Sequence, residues 1–198
     1  MGPGKIEQMD SIGHSLERTL NSSARDILDA IESGFRTQVD VKGKLAELYL
    51  YRTLRALQGQ GHISGLVWSD TDGEPDFFLE YRRRRLSVQC KNVRSGEQYR
   101  TGERKGKFKV ELQKTRGGTD VRTGEGTRYY RPDEFDIVAV CLFNQTGAWE
   151  FLYAMARDLA RHRRHVDRLE VMHPVPPQAS PPWSNDLLDV LRALDSTG

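Results

Sequence analysis

One stretch of this chain constrains its fold more than any other. Residues 135–143 have the sequence FDIVAVCLF, in which every residue but one is apolar. A strand with one face in water alternates polar and apolar side chains, so an unbroken apolar run predicts a strand buried on both faces inside a sheet. Residues 148–153 follow the turn-forming sequence NQTG and are expected to pair with this strand as a hairpin. Such a sheet needs a covering layer on each face.

The segments before this strand alternate between helix and strand patterns. Residues 40–57 predict a helix that begins at Asp40 and carries a broad apolar face. Residues 76–81 and 86–92 predict two strands, and the four arginines at positions 82–85 join them as a hairpin. The order of helices, strands and helices predicts an α/β fold with a mixed sheet. The apolar face of the helix is formed by Val41, Leu45, Leu48, Leu50, Leu54 and Leu57.

Four regions are predicted along the chain. Residues 1–39 form a helical N-terminal extension, and residues 40–168 form the core domain, which ends in a basic helix over residues 155–165. Residues 169–183 contain five of the eight prolines, which predicts an extended linker. Residues 184–198 predict a last helix with leucines along one side, a face that suits a dimer arm.

The composition excludes several classes of protein. No run approaches the roughly 18 apolar residues of a membrane span, and the first residues, MGPGKIEQMD, lack the apolar core of a signal peptide. Two cysteines, Cys90 and Cys141, lie far apart, so we expect no disulfide framework and no paired-cysteine zinc site. A reducing cytoplasm is the expected compartment.

The formal net charge of +2 is a cancellation between segments of opposite sign. Acidic residues concentrate in the N-terminal helices, in the turn at residues 70–76 and in the last helix. Basic residues concentrate at positions 82–85, 99–131 and 157–168. The net charge therefore does not exclude a nucleic-acid partner, because a basic face can coexist with acidic segments.

Polar side chains converge where the two predicted strands of the hairpin meet. Side chains alternate across a strand, so Gln89 and Lys91 share one face while Cys90 points to the apolar core. A lysine within a sheet needs a partner, so a carboxylate or a phosphate is expected near Lys91. Asp76 begins the preceding strand at the end opposite the arginine turn, and antiparallel pairing places it beside Gln89 and Lys91.

An acid on the preceding helix completes a pattern. Gly43 and Glu47 are four residues apart and share a helix face. With Pro75-Asp76 and Gln89-Cys90-Lys91 they resemble the PD-(D/E)XK nuclease superfamily, which includes restriction endonucleases, Holliday-junction resolvases and some homing endonucleases. The resemblance covers residues 40–153. The chain departs from the pattern at Gln89, where the family has its second acid, although a Gln-x-Lys form occurs in some branches.

The resemblance implies a fold and an activity. The fold is a restriction-endonuclease-like three-layer α/β/α core with a mixed central sheet, a helical N-terminal extension and a C-terminal helix. The activity is Mg²⁺-dependent hydrolysis of DNA phosphodiester bonds, with Mn²⁺ as a substitute and with restriction- or homing-type double-strand cleavage favoured. A homodimer is expected, because cutting two strands with one site per chain needs two copies. No membrane and no small-molecule cofactor besides the metal is implied.

The resemblance also assigns roles to the converging residues. Asp76 is the principal metal ligand, and Gln89, the carbonyl of Cys90 and Glu47 complete the metal site. Lys91 orients the attacking water and offsets charge that develops at phosphorus. Three alternatives stay open: an inactive DNA-binding or assembly subunit that keeps the nuclease fold, a Holliday-junction-resolvase-like enzyme, and a nuclease acting on RNA.

A basic, glycine-rich stretch at residues 95–131 is the candidate nucleic-acid contact, because phosphate binding needs Lys and Arg on an adaptable frame. A flexible solvated loop is the alternative. The candidate residues are Gln113, Lys114 and Arg116, with Lys107, Lys109 and Arg128 beside them.

Other polar and aromatic residues are expected to be structural. The arginines at positions 82–85 predict a solvated turn, with DNA-backbone contact as the alternative. Solvated side chains are favoured for His162 and His165, an N-terminal turn for Asp133, Glu134 and Asp136, and packing for Trp68, Trp149 and Trp183.

Overall fold

A computed structural model describes residues 13–96, 98–114 and 128–194. The chain divides into two compact units, residues 1–42 and 43–198. The first unit contains α1 (Ser15–Leu20), α2 (Ala24–Ser33) and the beginning of α3 (Phe35–Gly59), which continues into the second unit. Ser23 caps α2, because its side-chain oxygen accepts a hydrogen bond from the backbone N–H of Asp26. Within the described ranges no helix is long and apolar enough to cross a membrane.

The second unit contains a five-stranded mixed sheet, whose strands lie in the order β1 (Ser64–Trp68), β2 (Phe77–Tyr81), β3 (Arg84–Asn92), β5 (Ile137–Cys141) and β6 (Phe151–Met155). β3 and β5 are parallel, and the other neighbouring strands are antiparallel. The apolar run predicted as an interior strand is β5, which lies between β3 and β6 and is buried along its whole length. The short helix α4 (Phe143–Thr146) joins β5 to β6.

A separate two-stranded sheet pairs β4 (Phe108–Glu111) with β7 (Met172–Val175). β7 lies inside residues 169–183, which the proline content predicts to be an extended linker. The side chains of Leu169 and Val175 are fully buried, so this stretch is part of the folded unit. Pro174 fits because both strands of a two-stranded sheet are edge strands, where a missing N–H is tolerated.

Two apolar cores flank the main sheet. One core joins α3 and the C-terminal helix α5 (Leu187–Ala193) to side chains from β2, β3, β5 and β6. The other joins β4 and β7 to the opposite side chains of β5 and β6. Helices therefore cover one face of the sheet, whereas the second helical layer expected for a three-layer α/β/α core is not seen in the part of the chain that the structure describes. Among the described residues, the opposite face is covered by the small sheet and irregular segments.

The predicted basic helix at residues 155–165 is wrong. β6 runs to Met155, and the described chain continues as a short 3₁₀ turn, Ala156–Asp158. Ala156 and Leu159 are buried in the second core, and Arg161 pairs with Leu169 in an isolated β-bridge. Packing and backbone pairing at long range have overridden a local helical pattern.

α5 uses its apolar face within its own chain. Leu187, Val190 and Leu191 are buried in the first core, and Asp186 caps the helix by accepting a hydrogen bond from the N–H of Leu188. The face predicted to serve as a dimer arm is therefore covered by the sheet of the same molecule.

The β2–β3 turn carries backbone strain that can be removed. Arg82 and Arg83 have φ angles of 47° and 65°, and Tyr81 pairs with Arg84, so two arginines occupy a two-residue turn in the left-handed region. Such turns favour Asn-Gly. Replacing Arg82→Asn together with Arg83→Gly is expected to raise the free energy of unfolding by about 1 kcal/mol, measured by urea denaturation. The matched pair Arg82→Gln and Arg83→Gln removes the same charge without relieving strain. An equal gain in that control would contradict the prediction.

Candidate active site

Asp76 lies directly before β2 and is held by the strand beside it. The backbone N–H of Cys90 donates a hydrogen bond of 2.7 Å to Asp76 Oδ2, and the side-chain amide of Gln89 donates to the same oxygen. Phe77 pairs with Val88, and this register places Asp76 opposite Gln89, as antiparallel pairing predicts. The Cys90 carbonyl oxygen lies 3.5 Å from Gln89 Nε2, so it borders the same cluster.

The side chain of Cys90 belongs to the core. It is buried on the opposite side of β3, and burial raises the pKa of its thiol. The prediction that this thiol is structural agrees with its position. Only the backbone atoms of Cys90 face Asp76.

Glu47 is held on α3 by two donors. Its Oε2 accepts hydrogen bonds from Trp68 Nε1 at 3.1 Å and from Lys44 Nζ at 3.0 Å, and the side chain is only 14% exposed. Lys44 also forms an ion pair with Asp70 at 2.9 Å. Lys44 has no predicted role, and the role predicted for Trp68 is packing alone. The spacing of three residues between Lys44 and Glu47 was the available signal, because such residues are neighbours on a helix.

The electrostatics of Asp76 are those of a desolvated acid. The pKa of Asp76 is raised from 3.8 to about 6, chiefly by burial and in smaller part by the negative charge of Glu47. The hydrogen bond from Cys90 and the positive charges of Lys91 and Lys44 lower the pKa but do not cancel the effect of burial. Two neighbouring carboxylates, one of them desolvated, favour a bound cation. A cation offsets both the desolvation of Asp76 and the repulsion between Asp76 and Glu47.

The donor set fits a hard divalent cation. The hydrogen bonds described for Asp76 and Glu47 all go to Oδ2 and Oε2, which leaves Oδ1 and Oε1 without a described partner. Mg²⁺ is commonly held by one or two carboxylates together with water. Among the described residues, no group of three or more His, Cys, Asp and Glu side chains could hold a metal ion. A metal would therefore depend on Asp76, Glu47, the Cys90 carbonyl and water, whereas the Gln89 amide nitrogen faces Asp76 as a donor.

Lys91 has an aromatic neighbour. Its ammonium lies 5.5 Å from the ring centre of Tyr130, and the ammonium of Lys114 lies 5.7 Å from the same ring centre. Lys91 is also close enough to Asp76 to lower the pKa of that carboxyl. Lys114 forms an ion pair with Glu134, which also accepts a hydrogen bond from the N–H of Arg131. Tyr130 lies in the predicted nucleic-acid-binding stretch at residues 95–131, but its contact with Lys91 was not predicted, because the two residues are far apart in the sequence.

The predicted nucleic-acid contacts fall into two groups. Gln113, Lys114 and Arg128 lie together: Gln113 forms a β-bridge with Tyr129, and the N–H of Lys114 donates to the carbonyl of Arg128 at 3.0 Å. The other predicted contacts lie around Tyr99. The ammonium of Lys109 is 5.1 Å from the Tyr99 ring centre, and the Lys107 carbonyl accepts from the Tyr99 N–H at 3.0 Å. Arg116 lies outside the described residues.

The remaining acids near β5 are structural in this fold. Asp136 Oδ2 accepts hydrogen bonds of 2.8 Å from both the N–H and the hydroxyl of Ser87, which ties the start of β5 to β3. Asp133 pairs with Arg131 at 3.5 Å.

The two histidines and the tryptophans make ring contacts. His162 and His165 lie near the Tyr129 ring, at 5.2 and 6.2 Å between ring centres. Trp149 stacks on Tyr49, and Trp183 is buried, so both pack as predicted.

Comparison with known proteins finds similarity to a solved structure. Neither the protein-family models nor the curated proteins contain a match to this sequence. Among solved structures, a bacterial homing endonuclease, I-Ssp6803I, is 17% identical, with 80% of this chain and 97% of that chain covered and a TM-score of 0.48. A TM-score of this size is too low to transfer a function, so the function has to come from the geometry of the site.

Proposed function

We propose that this protein is a metal-dependent endonuclease of the PD-(D/E)XK type that hydrolyses DNA phosphodiester bonds, with restriction- or homing-type double-strand cleavage favoured. The observation that carries the proposal is Asp76. This carboxyl is desolvated, has a pKa of about 6, and is held by the Cys90 N–H and the Gln89 amide beside Glu47 and Lys91. Perturbed acids grouped with a lysine are characteristic of active sites.

The chain's own residues have separate roles in this proposal. Asp76, Glu47 and the Cys90 carbonyl would hold Mg²⁺ or Mn²⁺. When bound, such an ion supplies Lewis acidity toward a phosphate oxygen and lowers the pKa of a bound water. Gln89 fixes the orientation of Asp76 through its amide hydrogen bond. Lys91 places a positive charge near Asp76, where it stabilises negative charge that develops on the phosphate.

A second candidate is a DNA-binding or assembly subunit that keeps the fold without cleaving. Gln89 favours it, because the amide is a donor to Asp76 and contributes no negative charge to a metal site. Such a subunit would bind DNA with strong salt dependence and would take up no metal.

The test is cleavage of defined substrates by the purified chain. Plasmid DNA, a four-way DNA junction and an RNA hairpin are incubated with Mg²⁺, Mn²⁺ or EDTA. We expect metal-dependent cleavage of duplex DNA that falls at least about 100-fold in Asp76→Asn and in Lys91→Met. Glu74→Gln, an exposed acid close in sequence, is the matched control and should cleave normally. Cleavage that survives both active-site changes contradicts the assignment. DNA binding without cleavage or metal uptake supports the inactive subunit, and cleavage of the junction or the RNA alone reassigns the substrate.

We also propose a homodimer, since one site per chain must act on two strands. The covered face of α5 is not its interface. Light scattering with and without DNA tests this proposal, and a monomeric mass in both conditions would contradict it.

A further inference from the structure

We infer that Tyr130 is a positioning residue. Its aromatic ring holds the ammonium groups of Lys91 and Lys114 in place, so that both face the phosphate backbone of a substrate beside Asp76. The inference deepens the proposed function, on which it rests. It adds Lys114 to the substrate-binding end of the site and gives Tyr130 a role that acts through the two lysines.

Lys91 and Lys114 share the aromatic ring of Tyr130. The two ammonium groups lie 5.5 and 5.7 Å from the centre of the Tyr130 ring, within the distance over which a cation is attracted to an aromatic face. Tyr130 is only 8% exposed and packs edge-on against Phe135 at 5.2 Å between ring centres. The ring is therefore fixed by the second core, and lysines that rest on it are held in a defined place.

An aromatic ring and a carboxylate hold an ammonium group in different ways. A carboxylate neutralises an ammonium and occupies its N–H donors, whereas a ring attracts the charge and leaves those donors directed elsewhere. Lys91 therefore keeps its hydrogen-bonding capacity for an anion while its position is set. A phosphodiester oxygen is the anion that belongs beside a divalent-cation site of two carboxylates.

Acidic side chains lie beside the two lysines around Tyr130. Burial raises the pKa of the Tyr130 phenol, and the charges of Asp76 and Glu134 raise it as well, so these acids lie near the ring together with the two lysines. Glu134 is paired with Lys114, whose side chain is 24% exposed. A phosphate that approaches Asp76 can compete with Glu134 for this partly exposed ammonium, which makes Lys114 a second contact to the substrate.

The first experiment separates ring from hydroxyl by steady-state cleavage kinetics. Tyr130→Leu should lower kcat at least about 10-fold, because the Lys91 ammonium loses the aromatic ring that holds it in position. Tyr130→Phe keeps the ring and should have a kcat within about threefold of wild type. Tyr81→Leu removes a buried ring that carries a cation, Arg82, at the end of the β2–β3 hairpin opposite Asp76, and should leave kcat unchanged. A wild-type kcat for Tyr130→Leu, or an equal loss in Tyr130→Phe, would overturn the inference. Thermal melts show whether each variant is folded.

The second experiment needs neither cleavage nor a variant. In the metal-free wild-type protein, acetylation of individual lysines by an amine-reactive ester is followed by mass spectrometry, with inorganic phosphate or chloride at equal ionic strength. We expect phosphate to slow the labelling of Lys91 and Lys114 several-fold and to leave Lys42, which lies outside the candidate site and the predicted nucleic-acid contacts, unchanged. An unchanged rate at Lys91 or Lys114 would overturn the inference, as would equal protection of Lys42.

The two experiments also separate this inference from the proposed function. If phosphate protects Lys91 and Lys114 in a protein that cleaves no substrate, the proposed endonuclease activity is contradicted, and the phosphate site formed by the two lysines still stands. Cleavage with no protection of Lys91 and Lys114 would keep the endonuclease and overturn the role of Tyr130.

Discussion

Asp76→Asn is expected to make the metal-free protein more stable by about 2 to 3 kcal/mol at about pH 8, although it removes the central residue of the site. The pKa of Asp76 is raised from 3.8 to about 6 in the folded protein, chiefly by burial. Because the folded pKa lies above the unfolded one, the stability linked to this carboxyl is present at low pH. That stability is lost as the pH rises from about 4 to 6. Asparagine keeps an oxygen to accept from the Cys90 N–H and the Gln89 amide, and it carries no charge.

Urea denaturation in EDTA at several pH values measures this effect. The stability difference between Asp76→Asn and wild type should be small near pH 4, grow through pH 6 and level off above it. Glu74→Gln, an exposed acid, should show no such profile. A difference that is constant with pH, or a less stable variant at pH 8, would show that burial does not govern this carboxyl.

Divalent metal should reverse the ranking of the two proteins. An ion that binds the folded state alone adds about 4.1 kcal/mol at a concentration 1,000 times its Kd, which exceeds the difference of about 2 to 3 kcal/mol, and wild type should gain this while Asp76→Asn gains nothing. The gain should shrink below about pH 6, since a proton competes for Asp76 there. An equal gain in the variant would place the metal elsewhere.

Gln89→Glu is expected to have opposite effects on stability and on metal affinity. Gln89 is 5% exposed and donates to Asp76, so a glutamate would replace a donor with a charged acceptor against a desolvated carboxylate. We expect the metal-free protein to lose about 3 kcal/mol or more, since an unpaired buried charge costs this much. Mn²⁺ should bind at least about 10-fold more tightly, because a third acid joins the site.

Calorimetric titration with Mn²⁺ and urea denaturation in EDTA measure the two effects. Gln89→Met is the matched control: it keeps the length of the side chain and loses the hydrogen bond without adding charge. It should lose about 1 to 2 kcal/mol and gain no metal affinity. If Gln89→Glu binds Mn²⁺ no more tightly than wild type, position 89 does not face the metal.

The central hairpin and the cluster around Asp76 could be predicted because their rules are local. Alternation along a strand places Gln89 on the opposite side of β3 from the Cys90 thiol, and antiparallel pairing brings Asp76 beside it. The interior strand β5 was equally clear, since an uninterrupted apolar run has few other solutions in a small α/β protein.

The errors arise where distant contacts decide the structure. The chain after Met155 has a helical pattern, but burial of Ala156 and Leu159 in the second core holds it in a turn and irregular structure. Prolines predict a linker, yet an edge strand accepts Pro174 opposite Lys109. The contact between Tyr130 and Lys91 could not be predicted, because nothing in the sequence around Tyr130 marks it as a neighbour of Lys91.

The burial of α5 has a consequence during synthesis. Leu187 and Leu191 close the same core as the hairpin that presents Asp76 and Gln89, but they are added to the chain long after that hairpin. A chain still attached to the ribosome therefore carries the residues of the candidate site before the core that fixes them exists. Under the proposed function, activity would arise only late in translation, so fragments from premature termination would carry these residues but remain inactive.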